Sequence, residues 1–366
     1  MITPEFLESL DYSELVMLYS QLNIELTEDI IKQIQNGKDI SKMSKSEFNK
    51  FVEGIAETIL VSALLKASKL NTPVKKELKN IYTKMAKDNM KSYKKLFEYR
   101  GLKYEVSADQ LKILNAGIKK ISTELANFTK TIAFSSQQAY VEAIDKAYLD
   151  VLTGKNYITT IENTVRDLAK QGITLKDSAG RNVQLETAVR RNILTGVKQT
   201  ADEITDDIEK ELGCNGYEVT SHAGARPSHA EAQGKQYAIT KADARKYNVG
   251  YWGDVKDLWQ EYNCRHTYFG IILGISEPVY TNKELKQMEN AKVTYKGKKI
   301  PEYEATQIQR QLEREQRNLQ RQIAPLKNAK QDVSDLQLRL NKKQTEYKQF
   351  CKETGLTPQY ERTKVI

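Results

Sequence analysis

The stretch Gly213-Cys214-Asn215-Gly216-Tyr217-Glu218-Val219-Thr220-Ser221-His222-Ala223-Gly224-Ala225-Arg226-Pro227-Ser228-His229 divides the chain into two kinds of sequence. Before it, apolar residues recur at helical spacing almost without interruption. From Gly213 to residue 282 the texture changes. This segment holds all three histidines, both tryptophans and two of the three cysteines, among many glycines. Gly216–Ser221 alternates like a short strand, and Thr267-Tyr268-Phe269-Gly270-Ile271-Ile272 reads as another. The expected fold is therefore α+β and predominantly α-helical, in three parts. Residues 1–212 form a long helical region, 213–282 a small irregular module carrying the His and Cys residues, and 283–366 a basic Gln/Arg/Lys-rich tail ending in a long helix or coiled coil.

Working back from Gly213, the helix signals are local and chemical. Thr3-Pro4-Glu5 is a helix start, with Thr at the cap and Pro in the first turn, followed by Leu7, Leu10, Leu15 and Leu18. Ser44 and Glu47 stand at capping-box spacing before Phe48, Phe51, Val52, Ile55 and Ile59. Asn71-Thr72-Pro73 opens a helix whose apolar stripe is Leu78, Ile81, Tyr82, Met85, Tyr93, Leu96 and Phe97, with lysine on the opposite face. Further helices are expected over 108–130, 134–153, 157–172 and 184–212. Asp177-Ser178-Ala179-Gly180-Arg181 reads as a short hairpin or loop.

Working forward, Leu312, Leu319, Leu326, Val333, Leu340 and Tyr347 recur every seven residues. That is a heptad pattern, but Pro325 lies inside it and Glu315 takes an apolar position. A kinked or two-part helix and a regular coiled coil, including one shared between copies of the chain, both fit.

The chain has 366 residues, 39% of them hydrophobic and 29% charged, with seven prolines; its mean hydropathy is −0.62. Collagen-like, mucin-like and disulfide-scaffold classes are excluded. No run of about 18 apolar residues exists, so no membrane-spanning helix is expected. The first residues lack the pattern of a secretory signal, and an odd number of widely spaced cysteines points to a reducing compartment. The net charge of +9 is unevenly spread. Residues 66–120 carry 15 Lys+Arg against 5 acids and residues 283–366 carry 19 against 11, flanking a slightly acidic middle. Such blocks suit non-specific, salt-sensitive contact with DNA phosphates, or serve as solvated helix faces.

The chemistry-bearing residues stand in two motifs, His222–His229 and Asn263-Cys264-Arg265-His266. Imidazole and thiolate together suit Zn²⁺, and His222, His229, Cys264 and His266 would make a four-ligand set. Their spacing is not that of a zinc finger, so the fold would have to bring the motifs together. Two other readings stand beside it. In a buried polar network, His222 and His229 bond backbone carbonyls, Arg226 pairs with an acid such as Glu231, and Cys264 packs as a small apolar group. In a hydrolase or nuclease, Cys264 with a histidine, or His229 with Glu231, does the chemistry. Arg226 and Arg265 suit a bidentate grip on a carboxylate or phosphate. Tyr251, Trp252, Trp259, Tyr262, Tyr268 and Phe269 suit stacking on bases, but at this density they better suit the core of a small domain. No nucleotide-binding or protease motif is present.

The pair of motifs, Val219 through Gly234 and then Asn263-Cys264-Arg265-His266 with Gly274-Ile275-Ser276-Glu277-Pro278, resembles phage minor capsid protein 2, within the wider group of Mu F-like head-morphogenesis proteins. Gly224, Arg226, Pro227, Gly234, Asn263 and Arg265 match its motif as structural positions. The stretch Trp259-Gln260-Glu261-Tyr262 departs from the Gly-rich loop common there. The resemblance implies a minor virion component of a tailed phage or prophage, assembled in the host cytoplasm. It further implies partners among the portal and head proteins, contact with DNA, and no assigned catalytic residue.

Overall fold

The computed structural model describes residues 10–99, 101–177, 179–261 and 264–365. Thr3-Pro4-Glu5, Leu7, Ser178, Tyr262 and Asn263, and the side chain of Leu96, lie outside the described residues. Helices α1 (Ser13–Gln35), α2 (Lys45–Lys69), α3 (Asn71–Tyr99), α4 (Ala108–Leu152), α5 (Tyr157–Gln171) and α6 (Leu185–Glu211) build the N-terminal bundle. Ser44 and Glu47 form the capping box of α2: the Ser44 hydroxyl accepts from Glu47 N–H, and Glu47 accepts from Ser44 N–H at 2.9 Å. On α3 the expected stripe is inside, with Leu78, Tyr82, Met85 and Phe97 buried, while Lys75, Lys79, Lys87 and Lys94 are exposed.

The helices expected over 108–130 and 134–153 are one 45-residue helix. Nothing at 131–133 breaks the backbone, and Ile121, Leu125, Thr129, Ile132, Ser136, Tyr140 and Ile144 keep one buried face in register through it. α4 is the spine of the bundle, packed on α2, α5 and α6. Phe48 of α2 stacks on Tyr148 of α4 with centroids 3.8 Å apart. Where α4 meets α6 a methyl group at Gly196 would lie 2.2 Å from Ile121, so only glycine permits that approach.

A two-stranded antiparallel hairpin, β1 (Thr174–Lys176) with β2 (Asn182–Gln184), connects α5 to α6. Beyond α6, strands β3 (Gly216–Val219), β4 (Gln236–Ala238), β5 (Gly250–Tyr251) and β6 (Tyr268–Ile271) form one sheet in the order β5-β4-β3-β6. β3 is antiparallel to both neighbours, pairing Val219 with Tyr268 and Gly216 with Ala238. The one-turn helix α7 (Pro227–Ala230) and helix α8 (Lys241–Tyr247) lie in the connections. Of the aromatics expected in the core of this module, Trp259 and Tyr268 are buried in it and Trp252 packs against it, while Phe269 packs on a second small cluster and Tyr251 is half-buried.

Helix α9 (Asn282–Glu289) and the hairpin β7 (Lys292–Tyr295) with β8 (Lys298–Pro301) lead into α10 (Glu302–Asn328) and α11 (Ser334–Thr354). The heptad leucines are divided between these two helices. Gln309 lies opposite Tyr347, and Glu315 pairs with Lys343 at 2.8 Å, so the helices run antiparallel as a hairpin. Glu315 thereby fills its apolar position with an ion pair at the seam. Pro325 lies within the last turn of α10, where it is buried, and the helix ends three residues later. The apolar faces of α10 and α11 are spent inside the chain: Leu312, Tyr347, Phe350 and Cys351 share one cluster, and Leu326 joins the N-terminal core beside α1 and α5. Among the described residues, no helix is long and apolar enough to cross a membrane, and none of the three cysteines forms a disulfide.

Candidate metal centre

The β3–β6 pairing closes the distance between the two motifs. His222 follows β3, His229 lies on α7, and Cys264 and His266 run into β6. At the start of α7, Arg226 is extended (φ −66°, ψ 148°) and Pro227 takes the first helical position, where its fixed φ fits and no N–H is missed. The turn after α7 returns through Gly234, whose N–H donates to Val219 O at 3.0 Å. Gly224 (φ +68°) and Gly234 (φ +67°) both adopt the left-handed backbone, and at Gly234 a methyl group would meet Leu285 at 2.2 Å. Those motif positions are thus shape requirements.

His229, Cys264 and His266 converge, each buried, with one ligand atom apiece within 4.8 Å of the others. His229 Nδ1 and His266 Nδ1 are 3.4 Å apart, and Cys264 Sγ lies 3.7 Å from the first and 3.6 Å from the second. A tetrahedral Zn²⁺ with its ordinary bond lengths separates two nitrogens by about 3.3 Å and a nitrogen from a sulfur by about 3.6 Å. The triangle has the dimensions of one face of that tetrahedron.

The surrounding hydrogen bonds fix which nitrogens are bare. Gln233 Oε1 accepts the backbone N–H of His222 at 3.1 Å, so this atom is oxygen. The His266 Nε2 that approaches it at 2.8 Å must then donate, which leaves His266 Nδ1 without a proton. His229 Nε2 faces Glu261 Oε2 at 3.3 Å and donates to that carboxylate, leaving its own Nδ1 bare. Two lone pairs therefore face each other across 3.4 Å, and the single Cys264 thiol proton cannot satisfy both. Imidazoles held by an amide oxygen and a carboxylate on the far nitrogen are the usual outer support of a metal-binding histidine. Charge agrees. Burial lowers His229, with Arg226 adding to it and Glu261 opposing. Burial and the neighbouring imidazoles push His266 down to about 2, so both rings are neutral at pH 7, the form a metal would bind. Burial raises the Cys264 thiol, and a bound cation would reverse that.

His222, expected as a fourth ligand, is placed otherwise. Its ring stacks on His266 with centroids 4.5 Å apart, and its Nδ1 lies 2.8 Å from Ala223 O. A further correction concerns Arg226 and His229. Arg226 is expected to pair with an acid such as Glu231, and the enzyme reading sets His229 beside Glu231; the acid both meet is Glu261, because the 3-10 turn Lys256–Gln260 swings it over α7. That turn also buries Trp259 edge-on against His229 at 5.4 Å. The stretch that departs from the family pattern thus supplies one wall and the carboxylate. Gln233 and Glu261 are supporting residues that the sequence reading misses. Gln233 stands four residues after His229, a spacing that returns it to the same side, whereas nothing local marks Glu261. Arg265 lines the small cleft beside the triad, together with Gly224, Arg226, Tyr303 and Arg310.

A family model described as phage minor capsid protein 2 matches residues 2–352. A curated relative, ATP synthase subunit delta of Clostridioides difficile (strain 630), is 29% identical over 85 residues, 22% of this chain and 47% of that protein. The chain therefore spans about half the length of the curated relative it matches. No solved structure matches.

Proposed function

The chain belongs to the phage minor capsid protein 2 family, and from that premise we propose that it is built into the head of a tailed phage at the portal end, after assembly in the host cytoplasm. The observation that carries this reading is the extent of the family match, which takes in the bundle, the module and the C-terminal hairpin together. Residues 1–212 make the contacts with portal and head proteins. Val61, Leu64 and Leu65 of α2 and Leu149, Leu152 and Ile158 around the α4–α5 turn support that assignment, since these large apolar side chains are exposed. The long C-terminal helices offer less to a second copy, because their apolar seam is occupied within the chain. The lysine face of α3 lies toward packaged DNA and can accompany it at ejection. Contact there is electrostatic and weakens with salt.

Within this role the 213–282 module is a rigid knot tied by one Zn²⁺ on His229, Cys264 and His266, with water at the fourth position. The metal would stand in for an apolar core that a module of this size cannot build. The open fourth position is also what a metal-dependent hydrolase or nuclease uses. The two readings separate cleanly. Under the enzyme reading the wild type hydrolyses DNA or peptidoglycan and His229→Ala does not; under the structural reading neither protein does.

The test of the main reading is mass spectrometry of gradient-purified particles from the parent phage or induced prophage, quantified against the major capsid protein. The chain is expected at a few to some tens of copies per particle. Its absence, with other head proteins well covered, would overturn the reading.

A further inference from the structure

Helices α6 and α10 border a cleft of about 310 Å³, partly open to solvent, next to the candidate metal triad. Guanidinium groups crowd its walls: Arg190 from α6, Arg310, Arg314 and Arg317 from α10, Arg265 from the loop before β6, and Arg362 from the C-terminal 3-10 turn. On α10 these arginines stand three and four residues apart, which puts them on one face of the helix. The buried pair Arg321–Glu186 joins α10 to α6 beside this space.

Anions on the walls are few. Lys198 also reaches the cavity, but Asp202 holds its ammonium at 2.6 Å. Glu261 is engaged by Arg226 and His229. Glu313 is buried and accepts from the Tyr347 hydroxyl at 3.3 Å. The arginines thus outnumber the carboxylates available to them. Arg317 is only 5% exposed; its Nη1 donates to Arg362 O, but its Nε has no hydrogen-bond partner among the described residues, and the same holds for Arg190 Nε. Burial and the adjacent Arg190 hold Arg317 down to about 10, and burial with Arg265 and Arg362 lowers Arg310. Arg317 is buried, Arg190, Arg310 and Arg362 are half-buried and Arg314 is exposed at the mouth; crowding like charges in such a partly desolvated cleft costs folding energy unless something of opposite sign completes it.

Guanidinium forks match phosphate oxygens two at a time. One phosphate cannot engage arginines on three separate walls, and the volume stands at the low end of pockets that take organic ligands. A DNA duplex is far too wide to enter. We propose that this cavity binds a ligand carrying two or more linked phosphates, gripped between Arg190 on one side and Arg310, Arg314 and Arg317 on the other. A free nucleotide or polyphosphate and the backbone of a single nucleic-acid strand share this chemistry. The site is distinct from the lysine face of α3 and does not depend on the place of the protein in the virion.

The test is isothermal titration calorimetry of the full chain with sodium tripolyphosphate at physiological salt, with sulfate as the unlinked comparison. One saturable site per chain is expected, at least about tenfold tighter for tripolyphosphate than for sulfate. Arg310→Gln/Arg314→Gln should weaken binding about tenfold or more. Lys75→Gln/Lys79→Gln removes the same charge from the exposed face of α3 and should change binding less than about twofold. A second route uses Arg362→Gln, which leaves both long helices untouched. Tripolyphosphate should raise the melting temperature of the wild type and fail to raise that of this variant. Displacement of tripolyphosphate by a short single-stranded oligonucleotide names the nucleic-acid source, and displacement by a nucleoside triphosphate alone names the free one. Absence of a saturable site, equal losses in the arginine and lysine variants, or displacement by neither competitor would overturn the proposal.

Discussion

The N-terminal bundle and the 213–282 module fill their interiors with different chemistry. In the bundle, Leu15, Ile30, Leu78, Leu125, Ile144, Ile193 and many others bury aliphatic surface across several long helices. In the module the main cluster is Tyr217, Val219, Ala232, Tyr237, Trp259, Cys264 and Tyr268, and beside it His229, Gln233 and His266 are buried polar groups. Apolar burial is non-directional and tolerates a slightly displaced neighbour. A polar centre stabilises only when every partner is present, and costs energy when one is missing. The bundle should therefore lose stability in increments, and the module all at once.

The largest expected effect sharpens this contrast. On the proposed zinc site, treatment with a chelator should bring the amides of 213–282 close to unprotected hydrogen exchange while those of α4 and α6 stay protected, since a structural site contributes folding free energy directly. Equal loss in both regions, or no loss in either, would break the comparison. Next comes Leu125→Ala in the bundle, fully buried on α4. It should lower global stability by about 2–5 kcal/mol in a denaturant titration and leave metal content unchanged.

A smaller effect lies at the junction of the two regions. Glu209 of α6 is buried, accepts from the Tyr93 hydroxyl at 3.1 Å and from Gly270 N–H of β6, and burial pushes its carboxyl up to about 8. A carboxyl raised in the folded state favours folding fully below its unfolded value near 4.5, and that contribution is lost as pH rises through about 8. Glu209→Gln keeps an acceptor for Gly270 and removes the titration. Between pH 5 and pH 8.5 the wild type should lose on the order of 2 kcal/mol more stability than this variant. Parallel pH profiles would contradict the assignment.

Local signals make much of the fold legible in the sequence. The Ser44–Glu47 box, the start of α3 at Asn71 and the alternation around Tyr217 and Phe269 each rest on residues within a few positions of one another, so they are readable without tertiary structure. The continuity of α4 through 131–133 is not, because no breaker is present and only packing against α2 and α6 decides it. The heptad is visible, but its division into an antiparallel hairpin depends on the positive φ of Lys330 after Pro325. At the candidate metal centre, the gathering of histidines beside Cys264 is plain in the sequence. Which of them meet is not. His229 and His266 are 37 residues apart and come together only through strand pairing, while His222 is turned aside by its neighbour's carbonyl. The arginine cavity is legible only as composition, since its walls come from chain segments far apart in sequence, Arg190 on α6 and Arg310 on α10.

Whether a bound metal holds the module together is read most directly from the zinc content of the full chain, purified without chelator, by inductively coupled plasma mass spectrometry, alongside Cys264→Ser and His222→Ala. Close to one zinc per chain is expected in the wild type and in His222→Ala, and a substoichiometric content in Cys264→Ser. A wild-type protein that is folded throughout 213–282 and carries no metal would contradict it.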